Sequence, residues 1–160
     1  MKVFLSIVCS LFFIVTQDYS VIREQYYHAS KNKQNTEKFL VTINATSSNS
    51  NLFNAYKGAA NCLKSRFATD KKERKDFFVK GVGLIESAVK SEGTNAEIRL
   101  IRLSIQENTP KFLKYKGNID EDKKLILDLF DKQNAELKDY IKKYVNQSKV
   151  FTETEKKQLK

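Results

Sequence analysis

Arg99 and Arg102 are the residues of this chain best placed by type and spacing to do chemistry. They are two of five arginines among 29 cationic side chains, and they stand three apart in EIRLIRLSI (97–105). That spacing puts them on one side of a helix. Their neighbours Ile98, Leu100, Ile101 and Leu103 are apolar, and a guanidinium in such surroundings needs a carboxylate or a carbonyl to bond. With Gln106, Asn108 and Lys111 they make a candidate clamp for an anion or a partner's C-terminus; Glu107 adds a carboxylate for an enzymatic or small-ligand version of the same site. A structural role is favoured over both: the arginines pair with Glu73, Glu86 or Glu107 and pin the helix, and QENTP (106–110) closes it.

Other chemistry is sparse. No HExxH, CxxC, GxSxG, P-loop or dinucleotide fingerprint is present. His28 is the one histidine, too few for a histidine-rich metal site. No catalytic residue, metal ligand or cofactor is assigned. Asp120, Glu121 and Asp122 suit the start of a helix, where the macrodipole favours negative charge. Cys62 sits among Ala59, Ala60 and Leu63, the setting of a buried, unreactive thiol.

These residues need helices to position them. There is one proline, Pro110, and there are five glycines. Apolar residues recur at helical spacing over 18–30, 36–45, 52–67, 77–89, 97–105 and 119–145, the last divided at Asn134. The apolar arc of 97–105 is wide enough for a central helix packed on two sides. ATSSNSN (45–51) is a loop. Gly81 and Gly83 cost helix propensity and predict close approach of a neighbouring helix. Asp70/Glu73, Thr94/Glu97, Asn118/Glu121 and Thr152/Glu155 have capping-box spacing. The fold class is all-α, built of antiparallel helix pairs.

The N-terminus carries an address. Lys2 precedes VFLSIVCSLFFIV (3–15), a thirteen-residue run without charge that ends at Thr16 and Gln17. A membrane helix needs roughly 20 apolar residues, so the run reads as a signal peptide over 1–17, cleaved near residues 16–17, rather than as an anchor or a core helix. A lipobox at Cys9 fits poorly. The expected organisation is a signal peptide at 1–17, one helical domain at 18–148, and a short helical or frayed tail at 149–160. Processing leaves Cys62 as the single cysteine, so no internal disulfide is expected in the oxidising compartment outside the membrane. The predicted location is periplasmic or extracellular, with no transmembrane anchor after processing.

Net charge is +10, but lysine outnumbers arginine 24 to 5 and the lysines alternate with acids, as in KKERKD (71–76). Nucleic-acid recognition favours arginine's bidentate fork, so no nucleic-acid partner is expected and KKERKD reads as a solvated surface.

FVKGVGLIESAVKSEGTNAEIRLIRL (78–103) resembles the junction between tetratricopeptide repeats. Gly81, Ile85 and Ala88 match the small, large and alanine order of a repeat's second helix, and Tyr56-Lys57-Gly58-Ala59-Ala60 is similar to part of a first helix. The connection between these helices is about eleven residues longer than the repeat allows. The resemblance implies solenoid-like packing and a protein-interaction role. The signal peptide, YKGAA and 98–115 together also resemble small secreted proteins of Bacteroidota, which carry no activity to transfer.

The leading functional expectation is an exported, non-catalytic helical module that binds another envelope protein or a peptide in a helical groove. Its mark is a concave surface bearing exposed aromatics such as Tyr56, Phe112 or Tyr115. Two alternatives stand beside it: an enzyme or small-anion binder built on Arg99, Arg102 and Glu107, and peripheral attachment to anionic envelope surfaces.

Overall fold

The computed structural model describes residues 19–159, so the segment read as a signal peptide lies outside the described residues. Those residues form eight α helices: α1 (Ser20–Ala29), α2 (Lys33–Ala45), α3 (Asn51–Phe67), α4 (Lys71–Ser91), α5 (Ala96–Asn108), α6 (Ile119–Leu129), α7 (Ala135–Gln147) and α8 (Glu153–Gln158). Single 3-10 turns at Lys111–Leu113 and Phe130–Lys132 complete the order, and no strand occurs among the described residues. The chain is all-α, as its periodicity predicts.

Caps set the starts. The side chains of Asn32, Ser50, Asp70, Asn95, Asn134 and Thr152 each accept a backbone N–H of the helix that follows. Each satisfies a donor that the helix itself cannot. Thr152 and Glu155 form the full reciprocal box, and Asp70 caps through the amide of Glu73. Of the four predicted boxes one is built in full, Asp70/Glu73 by its first half, and two not at all. The cap of α5 is Asn95, one residue after Thr94, and Asn118 makes no side-chain cap bond. Asn134 does divide the long C-terminal segment, as the cap of α7.

Helices α3 and α4 pack closely as a hairpin, and glycine makes it possible. A Cβ on Gly81 would stand 2.5 Å from Cys62 Sγ and 2.6 Å from Gly58 O; one on Gly58 would stand 2.6 Å from Gly81 O. Only glycine fits at both points of contact. Gly83 faces open space, with nothing within 4 Å of a Cβ. The expectation of close approach therefore holds at Gly81 and fails at Gly83, which lies two residues on and points away from α3. Gly81, Ile85 and Ala88, the residues that carry the repeat resemblance, are all buried.

Helix α5 is the axis of the fold. Every residue from Ala96 to Gln106 is buried. Ile98, Ile101 and Ile105 enter a core shared with α1 to α4, around Ile22, Phe39, Tyr56 and Ile85. Leu100 and Leu103 enter a second core with Ile126, Phe130, Ile141 and Val145. The two sets sit at offsets of three and four or three along the helix, so each forms its own stripe. Phe151 and Leu159 are 4 % exposed and belong to the second core. The segment 149–160 is therefore no frayed tail where it is described: α8 docks it.

Candidate functional site

Arg99 and Arg102 lie together on α5, but they face inward onto the chain's own acids instead of forming a clamp open to a ligand. Arg99 Nη1 donates to Glu121 Oε1 at 2.6 Å and to Asp122 Oδ1 at 3.0 Å, and its Nε donates to Gly93 O at 2.7 Å. Arg102 donates from Nε and Nη2 to the two oxygens of Asp122, at 2.8 and 2.6 Å, and from Nη1 to Glu86 Oε2 at 3.1 Å. Asp122 is fully buried and Arg99 and Arg102 nearly so. Burial works against the charge of Arg102, but the bonds and fields of Asp122 and Glu86 more than offset it and raise its pKa. Of the expected acids only Glu86 takes part; Asp122 and Glu121, read from sequence as helix-start charges, are the main partners. This is a clasp between α5 and α6, joined by Glu86 of α4.

The other predicted residues scatter. Gln106, with no exposed surface, bonds to the backbone N–H and side chain of Asn118. Glu107 turns to the C-terminal end of α7, where it accepts from Tyr144, from Ser148 Oγ at 2.8 Å and from the Lys149 amide at 2.7 Å. It does not converge with Arg99 and Arg102, so the three do not form one pocket. Tyr115 donates to Glu86 Oε1 at 2.6 Å and lies edge-on to Phe78. Tyr56, expected as an exposed aromatic, is 0 % exposed. Its hydroxyl donates to Glu97, which also takes both forks of Arg23. Lys111 is exposed on the 3-10 turn, and Asn108 donates to Ser104 O.

The concave surface lies elsewhere; of the predicted clamp residues only Asn108 touches it, and of the three expected aromatics only Phe112. A cleft of about 770 Å³ opens between the end of α1, the α3–α4 hairpin, the α5 C-terminus with its 3-10 turn, and α7. Its apolar floor includes Tyr26, Cys62, Leu63, Phe78, Ile105 and Tyr144. Burial pushes the Cys62 thiol up to about 12, so it is a protonated apolar wall at neutral pH. Burial likewise raises Tyr26, although Ser104 bonds to its hydroxyl.

The rim has two parts. Val79, Phe112 and Leu113 line it and are 59 %, 79 % and 39 % exposed. They are three of the five large hydrophobic side chains left exposed among the described residues. The other part is basic: Arg66, Lys71, Arg74 and Lys75, with no carboxylate in the lining. Arg66 is held by Ser30 O at 3.0 Å, and Arg74 by Ala68 O through two N–H groups. A second groove, about 550 Å³ between α1 and α7, is internally neutralised by the pairs Arg23–Glu136 and Lys143–Glu24.

Sequence reading missed this rim because KKERKD looks like any solvated stretch. The available signal was register. Lys71, Arg74, Lys75, Phe78 and Val79 fall at i, i+3, i+4, i+7 and i+8, one face of α4 that changes from basic to apolar.

No family model, curated protein or solved structure matches the chain. Among the described residues no group of three histidine, cysteine or carboxylate side chains is placed to hold a metal ion, and no helix is long and apolar enough to cross a membrane.

Proposed function

We propose that this protein is an exported, non-catalytic binding module that takes a segment of another envelope protein, or a peptide, into the cleft beneath the α3–α4 hairpin. One observation carries the reading: the apolar floor of the cleft continues outward onto exposed Val79, Phe112 and Leu113. A contiguous apolar surface that reaches the exterior is what a partner covers. A small molecule swallowed whole leaves no use for an apolar rim, whereas a chain lying in a groove contacts floor and rim together. Large hydrophobic anchors at such rims carry much of the energy of protein interfaces.

The non-catalytic part of the reading draws support from the state of the reactive groups. Cys62 is held as a thiol, and Tyr26, Tyr56, Tyr140 and Tyr144 are held away from ionisation by burial. Arg99 and Arg102 are fully engaged with acids.

A displayed-peptide selection tests the proposal. The purified protein is the bait, and a Phe112→Asp/Leu113→Asp variant is the counter-bait. Both substitutions lie on exposed side chains, so the fold is retained. Enrichment of sequences that bind the protein and lose binding to the variant supports the reading. A selection that enriches nothing, or enriches only peptides indifferent to the variant, overturns it.

A further inference from the structure

The four cations of the cleft point to a partner of particular charge. Arg66, Lys71, Arg74 and Lys75 line the mouth, and no acidic side chain lines it with them. Their neighbour Lys72 on α4 is answered by Asp76, and the cations of the second groove, Arg23 and Lys143, are answered by Glu136 and Glu24. Lys71 and Lys75 have no carboxylate partner among the described residues, and the bonds of Arg66 and Arg74 are to backbone carbonyls, which leave their charges uncompensated. The first turns of α4 are also a costly place for lysine, since the N-terminal end of a helix carries partial positive charge. Like charges gathered beside an apolar cleft create a local positive field that favours an anionic visitor.

Two gradients therefore coincide on one face of α4. Lys71, Arg74 and Lys75 occupy its start, and Phe78 and Val79 follow on the same stripe, leading to the cleft floor. A ligand matching both has an apolar edge and carboxylates beside it. Resting on the reading above, we infer that the occupant of the cleft is an acidic amphipathic segment of a partner protein. Its large apolar side chains seat against Leu63, Phe78 and Ile105, and its Asp or Glu side chains face Lys71, Arg74 and Lys75. Polar Asn108, Ser30 and Gln147 at the margin supply hydrogen bonds for its backbone. A lone carboxylate headgroup would meet the cations but leave Phe112 and Leu113 bare, which is why a polypeptide segment is assigned.

Designed peptides provide the test. The probe is a fluorescein-labelled helix of about 18 residues, with leucine at i, i+3, i+4 and i+7 and glutamate on the remaining positions. Three comparators accompany it: the same peptide with lysine for glutamate, the acidic peptide with its leucines scrambled off one face, and 11-(dansylamino)undecanoate. Binding is read by fluorescence anisotropy, or by dansyl emission for the last, near physiological salt. The acidic amphipathic peptide is expected to bind saturably, and the scrambled and lysine peptides about tenfold or more weaker. Lys71→Glu/Lys75→Glu and, separately, Phe112→Ser are each expected to weaken it about tenfold. These three side chains are exposed, and an unchanged melting temperature confirms that the fold is intact.

Equal binding of the lysine peptide, lost in Phe112→Ser, overturns the acidic assignment and leaves the cleft reading standing. Absence of saturation by the acidic peptide at about 1 mM overturns the proposal, as does binding indifferent to both variants. Binding of the dansyl fatty acid that is lost in Lys71→Glu/Lys75→Glu, without peptide binding, reassigns the cleft to a free amphiphile and also overturns it.

Discussion

Replacing Asp122 by alanine removes one carboxylate and leaves two arginines without their main partner. Asp122 accepts three hydrogen bonds, one from Arg99 and two from Arg102, at 2.6 to 3.0 Å, and has no exposed surface. Bonds to a charged group are each worth about 1.5–3 kcal/mol net, but the arginines keep Glu86, Glu121 and the Gly93 carbonyl in the variant. Glu86 and Glu121 are 40 % and 53 % exposed at the side chain, so water screens what they offer. The loss is then that of a broken buried ion pair, about 3–5 kcal/mol. Domains of this kind are stable by about 5–15 kcal/mol, so Asp122→Ala takes a large share.

Urea denaturation followed by far-ultraviolet circular dichroism measures the effect. Asp122→Asn keeps the shape and one accepting oxygen and is expected to lose about 2 kcal/mol. Glu121→Gln, at the exposed side of the same clasp, is expected to lose less than about 1 kcal/mol. Adding Arg102→Met to Asp122→Ala is expected to cost no more than Asp122→Ala alone, because the orphaned guanidinium is removed with it. A loss below about 1 kcal/mol in Asp122→Ala refutes the structural assignment of the clasp. Arg99 and Arg102 would then be available for a ligand.

Three further outcomes follow from the packing. Gly81→Ala is expected to destabilise by about 1–3 kcal/mol, since its Cβ meets Cys62 and Gly58; Gly83→Ala, in open space, is expected to stabilise by about 0.5–1 kcal/mol. Equal effects of the two in thermal melts refute the account of the hairpin. Removal of residues 149–160 exposes the site of Phe151 and Leu159 and is expected to cost about 1.5–3 kcal/mol for each; denaturation midpoints unchanged by the truncation contradict a docked α8. Burial raises the pKa of Tyr26, Tyr56, Tyr140 and Tyr144. The unfolded chain releases these protons near pH 10 and the folded chain does not, so stability is full below that pH and falls above it. The slope approaches about 1.4 kcal/mol per pH unit for each tyrosine. Urea midpoints equal at pH 9 and pH 11 refute it.

The elements were legible because their signals are local. Apolar spacing and capping side chains act within a few residues, and helices begin within a residue or two of 52, 97 and 119. The segment 77–89 shows where this stops. Helix α4 begins at Lys71, six residues earlier: the charged first turns have no apolar stripe to reveal them, and only the Asp70/Glu73 cap spacing marked the start. The double-sided burial of α5 was readable from its wide apolar arc. Pairing was not. Asp122 and Arg102 are twenty residues apart, and choosing among Glu73, Glu86, Glu107, Glu121 and Asp122 requires the placement of α6 against α5. The same limit hid the cleft, whose lining comes from five helices and a turn.

The fate of the five arginines bears on where function can lie. Arg23 is forked onto Glu97 and reaches Glu136; Arg99 and Arg102 close on Asp122. A guanidinium so engaged offers an incoming anion little, because binding it would first break a buried bond. Arg66 and Arg74 differ in kind. They are exposed, each uses a backbone carbonyl to hold its plane, and neither meets a carboxylate. A carbonyl fixes orientation while leaving the charge unspent. The sequence pattern directs attention to the arginines set in apolar residues, yet that very setting demands internal neutralisation. The arginines whose charge stays open are Arg66, at the end of α3, and Arg74, in the basic start of α4, beside a surface whose hydrophobic side chains are also left uncovered.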